Sequence, residues 1–376
     1  MERILIMNRK SKLHALTALV LILGLLLAGC GDVQPTEPPT ETAAPTQAPT
    51  EAPTEAPAEA PAGAPAEPEE NVTRNPLTGE VIDGLHTGRT FAVVFNNVKA
   101  ALPQHGISQA DMLFEFLAEG GVTRCVGLFS NIGDVEAIGS IRSARRYFIS
   151  LAQAYDAVLV HAGGSDEALK YIQDSGYNDI DGIKGYANSS FYRDQNRLSS
   201  GYKLEHTLFT TGANLLSCAQ GRGYALERPD GVNYGLRFDE AVQLAGESAA
   251  QITITYGIGE KQTFLDYDGA SGQYLAREHG GAWVDGNTDA QLAFENVLVL
   301  YAATSYQDDN YLLNINLTGS GRGYFACGGQ VVPITWQRSG EDGMFFFTLD
   351  DGSPVTLQVG QTYVSVVPEG SSVDCE

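Results

Sequence analysis

A run of proline, alanine, threonine and glutamate over residues 31–72 most constrains what this chain can fold into, because it fixes where folding can begin. The run is built from repeats such as APTE and APAE and carries almost no bulky apolar side chain. Such a composition cannot bury a core, and proline together with like charges keeps a chain extended. We therefore predict a disordered stalk over residues 30–72 and a folded part after it.

The first 29 residues have the pattern of a secretory signal that ends at a lipidation site. Basic residues at positions 9, 10 and 12 precede the apolar run ALTALVLILGLLL, and LAGC then ends at Cys30. An apolar run of this length is typical of a signal peptide and is short for a membrane span. LAGC resembles the lipobox of bacterial lipoproteins, which implies cleavage before Cys30 and acyl chains such as palmitate on a diacylglycerol linked to its sulfur. The alternative is an uncleaved N-terminal anchor.

This N-terminal pattern predicts a bacterial lipoprotein of the cell envelope. Acyl chains on Cys30 would anchor the protein to the membrane by burying many methylenes. The folded part would then lie on the outer face of the cytoplasmic membrane. The membrane is accordingly the first expected partner.

The charge balance argues against nucleic acid as a partner. The whole chain has a formal net charge of −23. The first 30 residues carry four basic residues and one acid, so the remainder has 19 Lys and Arg against 45 Asp and Glu. Such an excess of negative charge opposes binding to a phosphate backbone. It also favours a folded part that stands away from anionic lipid headgroups.

The cysteines and histidines do not indicate a metal or a redox centre. After Cys30 the sequence has Cys125, Cys218, Cys327 and Cys375, without a CxxC pair. These four thiols allow three disulfide pairings, and free buried cysteines are an equal alternative. The histidines lack metal-ligand spacing, and DGNTD at residues 285–289 lacks the glycine and glutamate of a calcium loop. We expect neither a metal nor a cofactor.

The residue patterns predict an α+β protein, with a mixed α/β domain over residues 73–235 and a mostly-β domain over 236–376. FAVVFNN is typical of a buried strand, DMLFEFLAEGGVTRCVGLFS of a hairpin, IRSARRYFISLAQAY of a helix, and DAVLVHAGGSDEALKYI of a strand, a glycine turn and a helix. From about residue 250, short β-branched or aromatic runs alternate with turn residues. FDEAVQLAGE predicts a helix that connects the domains, and TDAQLAFE a helix within the β domain.

The predicted hairpin brings charged residues together. A two-residue turn at Gly120-Gly121 would pair Leu117 with Arg124, so that Glu115 and Glu119 share a face with Arg124. One interpretation is a carboxylate pair held by an arginine in a binding cleft. The other is a cross-strand salt bridge on a solvated face.

The stretch IGSIRSARRYF adds three arginines. Helical geometry would place Arg145 at the edge of the apolar stripe and Arg142 near the helix start, with Arg146 toward solvent. A partly buried guanidinium needs a carboxylate or a ligand anion. The partner of Arg145 would be Glu115, Glu119 or a ligand.

The stretch VHAGGSDEAL supplies further candidates at the end of a predicted strand. His161 lies at the carboxyl end of that strand, where ligands of α/β sheets bind. The amides of Gly163 and Gly164 could hold an anion at the start of the next helix. Ser165 is predicted to cap that helix, and a role as nucleophile is the alternative.

Several of these stretches together resemble the YerB-like lipoprotein family, in which two domains of unknown function 3048 follow a lipoprotein signal. The resemblance rests on NPLTGE, FNNVKAALPQHGISQADMLFEFLAEGGVTR, IGSIRSARRYF, VHAGGSDEA and GQTYVSVVP. The family pattern also stresses Asn97. It has Pro-His-Asn where this chain has Glu205, His206 and Thr207, so only His206 carries over. The resemblance implies an envelope location and a two-domain architecture, and no reaction.

We expect the first domain to bind a polar or anionic ligand, either an envelope component or a small molecule. Arg142, Arg145 and the amides of Gly163 and Gly164 would hold the anion. The full set of ligand-binding candidates is Asn97, Glu115, Glu119, Arg124, Arg142, Arg145, His161, Gly163, Gly164, Ser165, Arg193 and His206.

Two other functions stay open, one of them enzymatic. A hydrolase of envelope glycan or peptide could use Glu115 and Glu119 as acid and base, or His161 as base. Four strand residues span about 13 Å, however, and glycosidase carboxyls lie roughly 5–9.5 Å apart. A structural or partner-binding envelope protein that uses the β domain is the third possibility.

Overall fold

A computed structural model of the chain describes residues 73–82, 88–184, 189–228, 234–257, 261–307 and 312–376. The predicted signal peptide, the lipidation at Cys30 and the stalk lie outside these residues. The described residues belong to one compact unit. Among them, no helix has the length and apolar character needed to cross a membrane.

The fold is α+β, as predicted, and its helices precede its strand-rich part. Residues 73–235 contain β1 (Phe91–Asn97), β2 (Met112–Leu117), β3 (Thr123–Phe129), β4 (Ile138–Gly139), α1 (Arg146–Ala154), β5 (Val158–His161), α2 (Asp166–Ser175), β6 (Asp179–Asp181), β7 (Phe191–Arg193), α3 (Gln195–Ser199), β8 (Leu208–Thr210) and α4 (Gly212–Gly221). Residues 236–376 contain β9 (Phe238–Asp239), β10 (Glu247–Ser248), β11 (Gln251–Thr255), β12 (Gln262–Asp268), β13 (Gln273–Glu278), β14 (Gly281–Ala282), β15 (Ala293–Phe294), β16 (Asn296–Ala302), β17 (Thr304–Tyr306), β18 (Leu313–Ile315), β19 (Gly319–Cys327), β20 (Gln330–Arg338), β21 (Phe346–Leu349), β22 (Leu357–Gln358), β23 (Thr362–Pro368) and β24 (Ser372–Cys375).

One central sheet runs through both predicted domains. Its strand order is β10-β20-β19-β16-β23-β2-β3-β1-β5-β6, and β21 pairs with β20. Strand β23 lies between β16 and β2 and is parallel to both. Strands β1, β2, β3 and β16 are buried along their whole length, as their continuous apolar runs require. The two predicted domains therefore share a sheet and a core.

The central sheet is covered differently on its two faces. Helix α1 packs on the face of Phe116, whose ring centroid lies 5.4 Å from that of Phe148. The opposite face, which carries Glu115, is covered by the sheet β14-β13-β12-β11-β24, in which β15 also pairs with β13. The hydroxyl of Thr263 on β12 donates to Glu115 across this interface at 2.8 Å. Neighbouring positions of β2 thus point into two separate layers.

Three predicted helical segments differ from the structure. Residues 238–247 are extended at both ends, because Phe238 pairs with Leu357 and Glu247 with Val331. The segment TDAQLAFE, residues 288–295, contains β15 and the turn and irregular residues that precede it. Helix α1 begins at Arg146, Arg145 before it is extended, and the amides of Ile141 and Arg142 donate to Leu208 of β8 and Val94 of β1. Strand pairing overrides the apolar spacing at these sites.

The predicted register of the hairpin is also wrong by one residue. Leu117 pairs with Thr123, and Phe116 pairs with Arg124. The loop contains the three residues Glu119–Gly121, which form a short 3₁₀ turn, in place of a two-residue turn. A shift of one residue exchanges the two faces of a strand. Arg124 therefore projects from the face opposite to Glu115.

The four cysteines that follow Cys30 are free thiols. Cys125 and Cys327 are buried, and Cys218 and Cys375 are half-buried. Burial raises the pKa of Cys125 well above its ordinary value, and the Glu115 carboxylate adds to the rise. Thiols kept protonated in this way are poor nucleophiles.

Candidate functional site

The structure brings Glu119, Arg124 and Arg145 together at the end of the β2–β3 hairpin. Arg145 donates from Nε and Nη2 to the two carboxylate oxygens of Glu119, at 2.7 and 2.8 Å. Arg124 Nη2 lies 3.4 Å from the same carboxylate. The partner of the Arg145 guanidinium is thus Glu119, and Glu115 does not contact Arg145.

Burial and charge shift the pKa values of this cluster. Burial alone would raise the pKa of Glu119, but the Arg145 hydrogen bonds and the two guanidinium charges hold it below its ordinary value. Burial and the nearby Arg145 charge lower the pKa of Arg124 to about 10. These three residues therefore form an internal ion-pair network that fixes the hairpin end against the start of α1.

We expect Arg145→Lys to reduce the free energy of unfolding by about 1–3 kcal/mol, because an ammonium cannot make the two parallel hydrogen bonds to Glu119. Urea denaturation measures this change. The matched control is Arg74→Lys, since Arg74 pairs with Glu240 on an exposed surface, where the expected cost is about 0–1 kcal/mol. Equal effects of the two substitutions would contradict the assignment.

His161 and the following glycine turn form a second internal group. The His161 ring is fully buried, with Nδ1 at 2.8 Å from the Gly163 carbonyl and Nε2 at 3.1 Å from Asp179. The Gly163 amide donates to Asp181 at 2.8 Å. Ser165 caps α2 by accepting from the Ala168 amide, as predicted. Both ring nitrogens of His161 and the Gly163 amide are thus bonded within the protein.

A buried polar network holds Asn97 and Glu115 between the two sheets. Glu115 accepts from Thr123 at 2.5 Å and from Tyr363 at 2.5 Å. Asn97 donates to Glu115 at 3.0 Å and to Glu278 at 3.1 Å. Glu115 is completely inaccessible to solvent.

Lys261 and Glu278 complete this network from the second half of the chain. Lys261 Nζ bonds Glu278 and lies 3.3 Å from Glu115. The Lys261 side chain is only 4% exposed and that of Glu278 is 0% exposed. One Glu278 oxygen, Oε1, has no hydrogen-bond partner among the described residues. Two carboxyls thus compete for a single buried ammonium.

The three charged groups of the network have perturbed pKa values. Burial raises the pKa of Glu278 to about 7, with Glu115 adding to the rise and Lys261 opposing it. Burial would also raise the pKa of Glu115, but Lys261 and the surrounding hydroxyls hold it below its ordinary value. The two carboxylates raise the pKa of Lys261 against the effect of its burial. The pair that stays charged is therefore Glu115 with Lys261.

An open pocket of about 400 Å³ lies at the carboxyl ends of the parallel strands β5 and β6, beside the middle of β1. It is lined by Ile141, Arg142, Ala162, Ile183, Arg193, Lys203, Leu204, Glu205 and Leu208. The Arg142 amide donates to Val94 of β1, and Ala162 directly follows β5. Ile183 follows β6, and Arg193 and Leu208 belong to the small sheet β4-β8-β7. Ligands of α/β sheets bind at this edge.

The pocket is positively charged in an acidic protein. Arg142, Arg193 and Lys203 face one carboxylate, Glu205, and the contact between Arg142 Nη2 and Glu205 is 3.4 Å. Arg193 Nη1 donates to the Leu204 carbonyl at 2.6 Å, which ties the wall of the pocket together. Lys203 makes no ion pair with any described residue. The local excess of cations can attract an anion.

His206 is adjacent to the pocket residue Glu205, and charged residues of the pocket affect its pKa. The ring is buried, and Nδ1 lies 2.8 Å from the Asn96 side-chain amide. Burial lowers the pKa of His206, Glu205 opposes the change, and Arg142 and Lys203 add to it. The sequence-based candidates therefore divide: Arg142 and Arg193 line the pocket, His206 supports it, and Glu115, Glu119 and Arg145 lie outside it.

Sequence reasoning missed Lys203, Lys261 and Glu278. Lys203 lies two positions before Glu205, in a stretch without regular spacing. Lys261 and Glu278 are more than 140 residues from Glu115, and neither stands in a recognisable motif. In β13 every second side chain is buried, namely those of Tyr274, Ala276 and Glu278. This alternation was the one available signal that Glu278 faces the interior.

Comparisons with known proteins agree with this architecture. Residues 77–225 match the family model described as "Protein of unknown function (DUF3048) N-terminal domain", and residues 252–364 match "Protein of unknown function (DUF3048) C-terminal domain". The chain is 27% identical over 297 residues to "Putative lipoprotein YerB" of Bacillus subtilis (strain 168), covering 78% of this chain and 86% of that protein. The crystal structure of the YerB protein from Bacillus subtilis matches with a TM-score of 0.71 and 27% identity, over 80% of this chain and 99% of that one. The chain therefore belongs to the YerB-like family of proteins of unknown function, and it carries both DUF3048 domains.

Proposed function

We propose that this protein is a lipid-anchored, extracytoplasmic binding protein that holds an anionic ligand in the pocket lined by Arg142, Arg193 and Lys203. The observation that carries the proposal is a set of three cations around one carboxylate, in a chain with a net charge of −23. The ligand is an envelope component or a small molecule with a phosphate or carboxylate group.

The internal bonding of the other candidates supports this choice of pocket. Glu119 neutralises Arg145, and the Gly163 amide already donates a hydrogen bond to Asp181. Lys203 by contrast has no ion-pair partner among the described residues, and Arg142 has only a 3.4 Å contact with the exposed Glu205. A ligand anion would find donors here that the protein does not already use fully.

The anchoring part of the proposal rests on the sequence and on the relative. LAGC, which ends at Cys30, is followed by a segment of low complexity. The similar protein of Bacillus subtilis is named a lipoprotein. A tether of this kind would present the pocket to ligands outside the cytoplasmic membrane.

Titration calorimetry with glycerol 3-phosphate and N-acetylmuramic acid tests the binding. The mature chain, residues 30–376 with Cys30→Ser, is expected to bind at least one of these anions, with an affinity that falls as salt is added. Arg142→Gln and Lys203→Gln are each expected to weaken binding about tenfold, since a hydrogen bond to a charged group contributes about 1.5–3 kcal/mol.

Arg322→Gln is the matched control. Arg322 lies 3.5 Å from Glu369 in an exposed ion pair outside the pocket, a geometry close to that of Arg142 with Glu205. The control is expected to bind as the parent does. Loss of binding in all three variants, or no binding of either anion by the parent, would overturn the proposal.

A further inference from the structure

The rim of the proposed anion pocket exposes large apolar side chains. Ile183 is 57% exposed and Leu204 is 60% exposed, and both line the pocket. Among the described residues, only four other large apolar side chains are comparably exposed, namely Val81, Tyr192, Tyr306 and Phe346. Exposed apolar surface beside polar groups marks a binding site.

The apolar surface continues from the rim into the pocket. Ile141, Ala162 and Leu208 line it together with Ile183 and Leu204, so that five of its nine lining residues are apolar. The three cations face the same space of about 400 Å³. A bare inorganic anion would use the cations and leave this apolar surface in water, at a cost that increases with its area.

We infer that the ligand is an amphiphilic anion, a phosphate or carboxylate headgroup that carries a hydrocarbon chain, and that Ile183 and Leu204 hold the first carbons of that chain. This inference rests on the proposed function and specifies its ligand class. The cations Arg142, Arg193 and Lys203 hold the headgroup, and the apolar residues distinguish a lipid-like anion from a sugar phosphate.

The charge of the whole protein favours a single lipid-like molecule over a bilayer surface. The net charge of −23 opposes contact with an anionic membrane plane. The pocket is a concavity, and all three cations line it. Membrane-surface sites instead spread their basic residues along a flat face or an amphipathic helix.

Hexyl phosphate and methyl phosphate separate headgroup binding from chain binding. With the mature chain, residues 30–376 carrying Cys30→Ser, we expect hexyl phosphate to bind at least 30-fold more tightly than methyl phosphate, because each buried methylene contributes about fourfold. Hexyl phosphocholine, which has the chain without the net charge, is expected to bind at least tenfold more weakly than hexyl phosphate.

Variants of the rim give the decisive comparison. Ile183→Ser and Leu204→Ser are each expected to lower the ratio of the affinity for hexyl phosphate to the affinity for methyl phosphate at least fivefold. Val81→Ser is the matched control, because Val81 is 59% exposed and lies outside the pocket. It is expected to change neither affinity.

The outcomes separate this inference from the proposed function. Equal affinities for hexyl phosphate and methyl phosphate would overturn the inference and leave the anion pocket in place. No binding of either compound would overturn the inference, and it would overturn the proposed function as well if neither glycerol 3-phosphate nor N-acetylmuramic acid binds. Binding to phosphatidylglycerol vesicles without binding to monomeric hexyl phosphate would also overturn the inference, since it would indicate a membrane surface site.

Discussion

Replacing Lys261 with methionine is expected to lower the free energy of unfolding by about 3–5 kcal/mol. Among the described residues, Lys261 is the one lysine or arginine within ion-pair distance of Glu115 and Glu278, in the space between the two sheets. Its removal leaves the Glu115 carboxylate buried without an opposing charge, and breaking a buried ion pair from one side costs this much. Urea denaturation monitored by circular dichroism at pH 7 measures the change.

Two further variants make this prediction specific. Lys170→Met is the matched control, since Lys170 pairs with Asp174 on an exposed face of α2, and its expected cost is about 0–1 kcal/mol. Adding Glu115→Gln to Lys261→Met removes the uncompensated charge and is expected to recover part of the lost stability. A double variant that is less stable than Lys261→Met alone would contradict this account of the network.

The stability of the protein is expected to decrease as the pH rises from about 4.5 to above 7, through the buried carboxyl of Glu278. The pKa of Glu278 is about 7 in the folded protein, against an ordinary value of 4.5. The folded state therefore binds more protons than the unfolded state in this interval, so a rise in pH favours unfolding. The full change is about 3 kcal/mol.

Glu115 acts in the opposite direction at lower pH. Its pKa is held below the ordinary value of 4.5, so its contribution is present above that pH and is lost as the pH falls through the folded-state pKa. Of these two groups, Glu278 limits stability above about pH 5 and Glu115 limits it in acid. Denaturation curves at pH 4, 5, 6, 7 and 8 would resolve both limits.

Glu278→Gln is expected to remove the decrease between pH 5 and pH 8, because glutamine stays neutral in both states. Glu369→Gln, an exposed carboxyl beside Arg322, serves as the control and should retain the decrease. A Glu278→Gln protein whose stability still falls by about 3 kcal/mol over this range would assign the titration to another group.

Much of the fold could be predicted from local patterns, and the exceptions have a common cause. The strand at Phe91–Asn97 and the Ser165 cap are encoded by continuous apolar residues and by a local hydrogen bond. The helix predicted from Ile141 begins five residues late because the amides of Ile141, Arg142 and Ala144 donate to distant backbone, namely to Leu208, Val94 and Gly163. Periodicity describes one segment at a time and carries no information on such partners.

The site was predicted less well for the same reason. The internal pairing of Arg145 with Glu119 follows from a three-residue hairpin loop, and the two glycines at its end favour a two-residue turn equally well on sequence grounds. The proximity of Arg142, Arg193 and Lys203 depends on where the segment before α1, the strand β7 and the segment before β8 meet at one edge of the sheet. Arg142 and Arg193 could be identified as candidates by residue type, and their meeting with Lys203 could not.

The position of β23 has a consequence for how this protein reaches its native state. Residues 362–368 form a central strand, and β2 and β16 meet only through it. Until these residues are available, β2 and β16 each have an unpaired edge, and such edges promote aggregation. The central sheet can therefore be completed only after residues 362–368 have been synthesised, which predicts slow folding dominated by contacts between distant parts of the chain.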